Sequence, residues 1–135
     1  TEDKFLYTKN ELCSKVTVLL AGRAAEEIFI GEISTGASND IKESTNIIYE
    51  IICSYGMGKN TQNTCIDERF IKYYLDNIKA EAQEMTGESY DRAISIIREN
   101  EAVVDKIAQY LLKYETMNAE KLDELMEEPK KRALI

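Results

Sequence analysis

Two stretches of the sequence carry carboxylates in positions that invite a chemical role: Glu26-Glu27, and the end of Gly36-Ala37-Ser38-Asn39-Asp40. The second reads as a turn leading into a helix. An aspartate in a first helical turn is favoured by the free N–H groups there and by the positive end of the helix dipole. On these grounds Asp40 is a capping residue. Anion binding at the same helix start is the alternative, and a neighbouring aspartate discourages it. Glu26 and Glu27 lie near the end of an apolar helix, about 100° apart around its axis. Either both are surface acids, or one is solvated while the other points inward. A carboxylate turned inward needs a donor partner.

That partner is not a histidine of this chain, because the sequence contains none. Histidine is the commonest transition-metal ligand and the usual acid or base near neutral pH. Its absence excludes a His-based zinc site, and equally a Ser-His or Cys-His nucleophile, built from these residues alone. Cys13, Cys53 and Cys65 form no C-x-x-C pair and read as buried or incidental thiols in a reducing compartment. With 17 Lys plus Arg against 25 Asp plus Glu, the net charge is −8. Nucleic-acid binding needs a basic face to displace phosphate counterions, so the balance argues against it. No apolar run approaches the ~20 residues of a membrane span, and no signal-peptide pattern is present. The 135 residues suffice for one compact domain. A start at Thr1 without methionine fits a piece of a longer protein.

The elements that must position these acids read as helices. Thr8-Lys9-Asn10-Glu11 has the capping-box pattern, and Leu12, Val16, Leu19, Leu20, Ala24 and Ile28 follow at helical spacing. A first helix from about Lys9 to about Phe29 is expected, with Gly31 as its stop. Ser34-Thr35-Gly36 reads as a tight turn, and Ser38 or Asn39 as the N-cap of a second helix. Ile41, Thr45, Ile48, Ile52 and Tyr55 keep the apolar face of that helix in phase up to Gly56 and Gly58, and Lys59–Thr64 is a loop. From Ile66 through Phe70, Tyr74, Ile78, Ala82 and Met85 to Ala93, Ile96 and Ile97 the phase predicts one long helix. It crosses Gly87 at a cost of about 1 kcal/mol.

Asn100 and Asn118 are placed to cap two further helices, the first carrying Val104, Ile107, Leu111 and Leu112, the second Leu122, Leu125 and Met126. Pro129-Lys130-Lys131-Arg132 reads as a solvated end. The paired isoleucines Ile47-Ile48 and Ile51-Ile52 read as core, as do Tyr73-Tyr74. The expectation is an all-α bundle of about five helices, one of them long.

The literal text adds a resemblance. TEDKFLYTKNE (Thr1–Glu11), AGRAAEEIFIGE (Ala21–Glu32) and STGASNDIKESTNI (Ser34–Ile47) resemble the FtsH-type ATP-dependent zinc metalloproteases, a family of AAA proteases. SYGMG (Ser54–Gly58), SYDRAISII (Ser89–Ile97) and YETMNAEKLDELM (Tyr114–Met126) follow in the family's order. The resemblance implies that residues 1–128 are the C-terminal helical part of the peptidase domain, without its HEXXH helix, and that 129–135 are a polar tail. In the family, zinc is held by the two HEXXH histidines and by an aspartate that maps onto Asp40. The glutamate that maps onto Glu26 is expected to support a zinc-binding histidine, fixing its ring orientation and tautomer.

The resemblance further implies a homo-hexameric parent acting on protein substrates and driven by ATP bound in a separate AAA module. It implies a membrane anchor upstream of Thr1, with the peptidase domain on the cytoplasmic or an equivalent reducing side and this chain itself soluble. The HEXXH motif, general base included, lies upstream in the family. The isolated chain is therefore expected neither to hold catalytic zinc nor to cleave peptides. One departure stands out: between Gly58 and Ile66 the family carries a longer connection with an LGP-like segment, and here the chain runs almost directly into its long helix. Together with the missing histidines, that departure supports the competing reading, a catalytically dead homologue serving as a helical scaffold or interaction domain. An HEXXH in the gene upstream of Thr1 discriminates in favour of the protease.

Overall fold

The structure is a computed structural model that describes residues 6–114 and 118–134. The described residues form the expected all-α bundle: α1 (Lys9–Phe29), α2 (Ser38–Tyr49), α3 (Ile71–Glu99), α4 (Glu101–Tyr114) and α5 (Ala119–Leu134). A 3-10 turn, Thr35–Ala37, leads into α2, and a π-helical turn, Glu50–Ser54, leaves it. The chain divides into two compact units, Thr1–Ser95 and Ile96–Ile135.

In the first unit the capping box closes as expected. The Thr8 hydroxyl accepts the Glu11 N–H at 3.1 Å, and the Glu11 carboxylate accepts the Thr8 N–H at 3.0 Å. Two orphan donors at the helix start are thereby satisfied. At the other end, Ile30 N–H and Gly31 N–H both reach the Glu26 carbonyl, at 2.9 and 3.1 Å, and Gly31 sits at φ +80°. That left-handed residue turns the chain off the helix and sends it towards Ser34.

The core of this unit joins Val16 and Leu20 of α1, Ile48 of α2, Ile51 and Ile52 of the π turn, Ile66, and Ile78, Ala82 and Met85 of α3. The π turn changes the expected face of α2. Ile51 and Ile52 are both fully buried, as expected of core residues, but one extra residue in the turn shifts the helical phase beyond them and Tyr55 swings out to 51 % exposure. Its hydroxyl then bonds Glu50 at 2.8 Å.

The long helix begins at Ile71 rather than near Ile66, which is a second correction. Asp67 accepts the Arg69 N–H and carries its guanidinium, and the turn this forms holds Phe70 half-exposed ahead of the helix. Ile66 is still buried, pinned by its N–H to the Cys53 carbonyl at 2.8 Å. Beyond Ile71 the expectation of one unbroken helix through Gly87 is met.

The short connection before α3 is built around Glu81, which is only 5 % exposed. Its carboxylate accepts the N–H groups of Lys59 and Asn60. Gly56 and Asn63 adopt left-handed backbone angles and bond through Asn63 N–H to the Gly56 carbonyl, folding residues 56–64 back on themselves. Gly58 sits where a Cβ would come within 2.6 Å of the Thr61 hydroxyl, so any larger residue there would have to displace that side chain.

In the second unit, Asn118 caps α5 as expected, its side-chain oxygen accepting the Lys121 N–H at 2.8 Å. Asn100 does something else. Its side-chain amide donates to the Ile96 carbonyl at 2.8 Å and so closes the end of α3, while its backbone carbonyl accepts from Val104 to start α4. Lys121 lies 5.3 Å from the Tyr110 ring centroid and pairs with Glu124. The expectations for the side chains of Leu111, Leu112 and 130–132 lie outside the described residues.

Candidate functional site

Asp40 occupies the first turn of α2, as its sequence position requires. The cap is not the expected Ser38 or Asn39. Ser34 caps the preceding 3-10 turn, its hydroxyl accepting the Gly36 N–H at 3.1 Å, and that turn runs straight into α2 through Ala37. Ser38 donates its hydroxyl back to the Thr35 carbonyl and tightens the same turn. Asp40 is thus relieved of capping. Its carboxylate is exposed and forms no hydrogen bond or ion pair with any described residue.

Glu26, four residues before the α1 C-cap Ile30, is held quite differently. Its Oε2 accepts a hydrogen bond from the Ser34 hydroxyl. Its Oε1 is shielded from solvent and has no hydrogen-bond partner among the described residues. A shielded carboxylate oxygen without a donor is costly in a folded protein, and Arg23 Nε, one turn earlier on α1, is a shielded donor without a partner. Glu27, the neighbouring acid, is exposed and accepts the Tyr90 hydroxyl of α3. The two acids therefore divide, one turned in and one out.

Glu26 and Asp40 are not bonded to each other. What joins them is Ser34, bonded to the first and opening the helical run that carries the second. Arg23 adds a clamp on the same residue, its Nη2 donating to the Ser34 carbonyl at 3.1 Å. Composition and periodicity do not single out Ser34, Arg23 or Tyr90. The spacing of α1 could have suggested Arg23, one turn before Glu26/Glu27; the others depend on contacts across the fold.

Tyr90 shows the strongest electrostatic effect. Burial first, and then its bond to Glu27, push its phenol up to about 12, with Arg23 working in the opposite direction. Beside it a groove of about 700 Å³ runs between α1, α2 and α3, with an apolar floor that includes Leu20, Ile41 and Tyr49 and with Arg23 and Glu27 among its polar lining.

For a metal, the donor set is incomplete. Among the described residues no group of three or more His, Cys, Asp or Glu is placed to hold an ion. The residues fit part of a zinc site: a carboxylate free to act as ligand, and a second carboxylate with one oxygen reserved for a donor such as an imidazole N–H.

Comparison with known proteins bears on the same segments. The family model of peptidase family M41 matches residues 1–125. The chain is 43 % identical over 127 residues to ATP-dependent zinc metalloprotease FtsH 2 of Thermoanaerobacter sp. (strain X514), which covers 94 % of this chain and 24 % of that protein. It is 34 % identical over 146 residues to ATP-dependent zinc metalloprotease FtsH 1 of Methylacidiphilum infernorum, covering 98 % of this chain and 23 % of the relative. Against ATP-dependent zinc metalloprotease FtsH of Bacillus subtilis it is 36 % identical over 147 residues, with 93 % and 22 % covered. The chain spans about a quarter of the length of the relatives it matches.

Proposed function

This chain belongs to peptidase family M41, and from that premise we propose that it forms the C-terminal helical part of the peptidase domain of an ATP-dependent zinc metalloendopeptidase. In this reading residues 1–128 are one peptidase region. Asp40 is the carboxylate ligand to zinc, and Glu26 accepts a hydrogen bond from a zinc-binding histidine that lies outside this chain. The observation that carries the reading is the shielded, partnerless Oε1 of Glu26. Arg23 Nε, the shielded donor one turn earlier, is not bonded to it, and an imidazole N–H would satisfy it and fix the ring's tautomer. Asp40 complements it: an acid with no internal bond, on a rigid helix start, is available as a ligand at ~2.0–2.2 Å.

Zinc held by two histidines and Asp40 would supply a Lewis acid and an activated water for peptide hydrolysis. This chain's residues hold and orient. Asp40 lends a charge to the ligand set, Glu26 orients a ligand, and the apolar core keeps α1 and α2 in register. The whole protein, in the same reading, is a homo-hexamer that takes protein substrates and binds ATP in a separate module. It is held in a membrane by segments outside this chain, with the peptidase domain on the cytoplasmic or equivalent reducing side. Among the described residues no helix is long and apolar enough to cross a membrane, and we read the isolated chain as soluble.

The test uses the full-length protein and its Asp40→Asn variant, with bound zinc and cleavage of an unfolded protein substrate measured in each. Loss of both in the variant is expected. Zinc retained at the wild-type level in Asp40→Asn would remove Asp40 from the ligand set. A second arm incubates the pure 135-residue chain with zinc and the same substrate. Zinc-dependent cleavage there would overturn the reading that the chain alone is inactive.

A further inference from the structure

We propose that Ser34 is a positioning residue of the zinc site, a hydroxyl that sets the orientation of the Glu26 carboxylate and locks it to the helix bearing Asp40. The proposal rests on the reading of Glu26 and Asp40 given above and extends it to a residue outside the expected ligand set.

A serine hydroxyl has one proton and two lone pairs. At Ser34 the backbone N–H of Gly36 occupies a lone pair, at 3.1 Å, and the proton is directed to Oε2 of Glu26. The direction of that bond follows from the chemistry, since an ionised carboxylate only accepts. Oε2 is thereby committed, and Oε1 is the oxygen left to receive a donor. Without Ser34 the carboxylate would turn about its soft terminal torsion, which has no deep staggered wells, and either oxygen could face the site. The bond makes one orientation of a pair of equivalent oxygens the ground state.

The second half of the argument concerns distance along the chain. Ser34 is also the cap of the 3-10 turn Thr35–Ala37, which continues without interruption into α2. Only helical backbone separates Ser34 from Asp40, with Ser38 bonded back to Thr35 to stiffen it. Arg23, one turn before Glu26 on α1, holds the Ser34 carbonyl at 3.1 Å. Ser34 is therefore gripped by α1 twice, through its hydroxyl and its carbonyl, and passes that restraint to Asp40 through rigid backbone. Ligand and support are kept in a fixed relation by one residue that touches neither zinc nor substrate. Supporting contacts of this kind tune metal affinity by roughly 10–100-fold.

The experiment compares Ser34→Thr with Ser34→Val in the full-length protein, with Asp40→Asn as reference. The Thr and Val side chains are nearly isosteric, and only Thr keeps the hydroxyl. Zinc affinity is read by competition with a chromogenic chelator, and the unfolding midpoint of the metal-free protein is read separately. We expect Ser34→Thr to bind zinc like wild type, Ser34→Val to bind it roughly 10–100-fold more weakly, and the metal-free midpoint of Ser34→Val to fall only by the small amount that loss of the Gly36 cap entails. Equal zinc affinity in Thr and Val variants, with Asp40→Asn depleted of zinc, overturns the role of Ser34 and leaves the ligand assignment standing. A loss in Val matched by an equal fall in metal-free stability makes Ser34 a folding contact only and also overturns it. Undiminished zinc binding by Asp40→Asn, or no zinc in the wild-type protein, sinks the underlying reading instead.

Discussion

The Tyr90 hydroxyl of α3 donates a hydrogen bond to Glu27 of α1, 63 positions earlier in the chain. It ties the helix that carries Glu26 to the long helix beneath it, on the polar side of an otherwise apolar contact. Burial and that bond push the phenol up to about 12, against ~10 in an unfolded chain. The folded state keeps the proton where the unfolded chain loses it. Stability linked to Tyr90 is complete below about pH 10 and is lost as pH climbs through about 12. Tyr90→Phe should cost about 0.5–1.5 kcal/mol at neutral pH and flatten the alkaline fall. Tyr55, raised by its bond to Glu50, should leave a residual slope. Urea denaturation of both proteins from pH 8 to pH 11 checks this, and parallel curves would show that Tyr90 is not the linked group.

Glu81 organises the short connection that distinguishes this chain from the longer loop its family resemblance implies. Replacing it by alanine removes the acceptor for the Lys59 and Asn60 N–H groups. The expected loss is about 1–3 kcal/mol, with faster amide hydrogen exchange at residues 59 and 60 as the local signature. Glu81→Gln keeps one good acceptor and should lose less. Unchanged exchange at those two amides in Glu81→Ala would mean that the loop holds its shape without the carboxylate.

The three thiols differ enough in environment to be separated chemically. Cys65 is exposed, whereas Cys13 and Cys53 are partly buried. Burial raises both of the latter, with nearby Cys65 adding to the effect at Cys53 and with Lys9 and Arg92 opposing it at Cys13. Because the thiolate is the reactive form, an alkylating reagent at pH 7 should modify Cys65 first. Cys13 and Cys53, both raised by burial, should catch up only as pH rises beyond 9. Mass-spectrometric mapping of the native protein over time reads the order directly. Equal rates at all three positions would contradict the buried setting of Cys13 and Cys53.

What the sequence made legible and what it hid divide along a physical line. The Thr8–Glu11 capping box, the Asn118 cap and the unbroken phase of α3 are local patterns, decided within one or two helical turns. They appear in the structure as read. The turn-to-helix pattern of residues 36–40 placed Asp40 at a helix start for the same reason. The bonds Ser34–Glu26, Tyr90–Glu27 and Glu81–Lys59 join residues 8, 63 and 22 positions apart. None of these pairings has a signature in a single sequence, because each depends on how the chain returns on itself. Helix caps failed where two motifs competed: Ser34 outbid Ser38 by starting the 3-10 turn earlier, and Asn100 closed α3 instead of opening α4 with its side chain.

The end of α2 gives the sharpest contrast between periodic expectation and structure. A regular helix would bring Ile48, Ile51, Ile52 and Tyr55 to one face. The π turn admits one more residue, and Tyr55 leaves that face, 51 % exposed, while Ile51 stays fully buried. Ile51→Ala should therefore behave as a core truncation, costing about 2–5 kcal/mol according to how far the surrounding side chains collapse into the space. Tyr55→Ala loses an exposed ring and its bond to Glu50, a change of about 1 kcal/mol or less. Thermal and urea unfolding of the two variants, measured side by side, decide between the two geometries. A loss in Tyr55→Ala as large as that in Ile51→Ala would restore the regular helix and its original face.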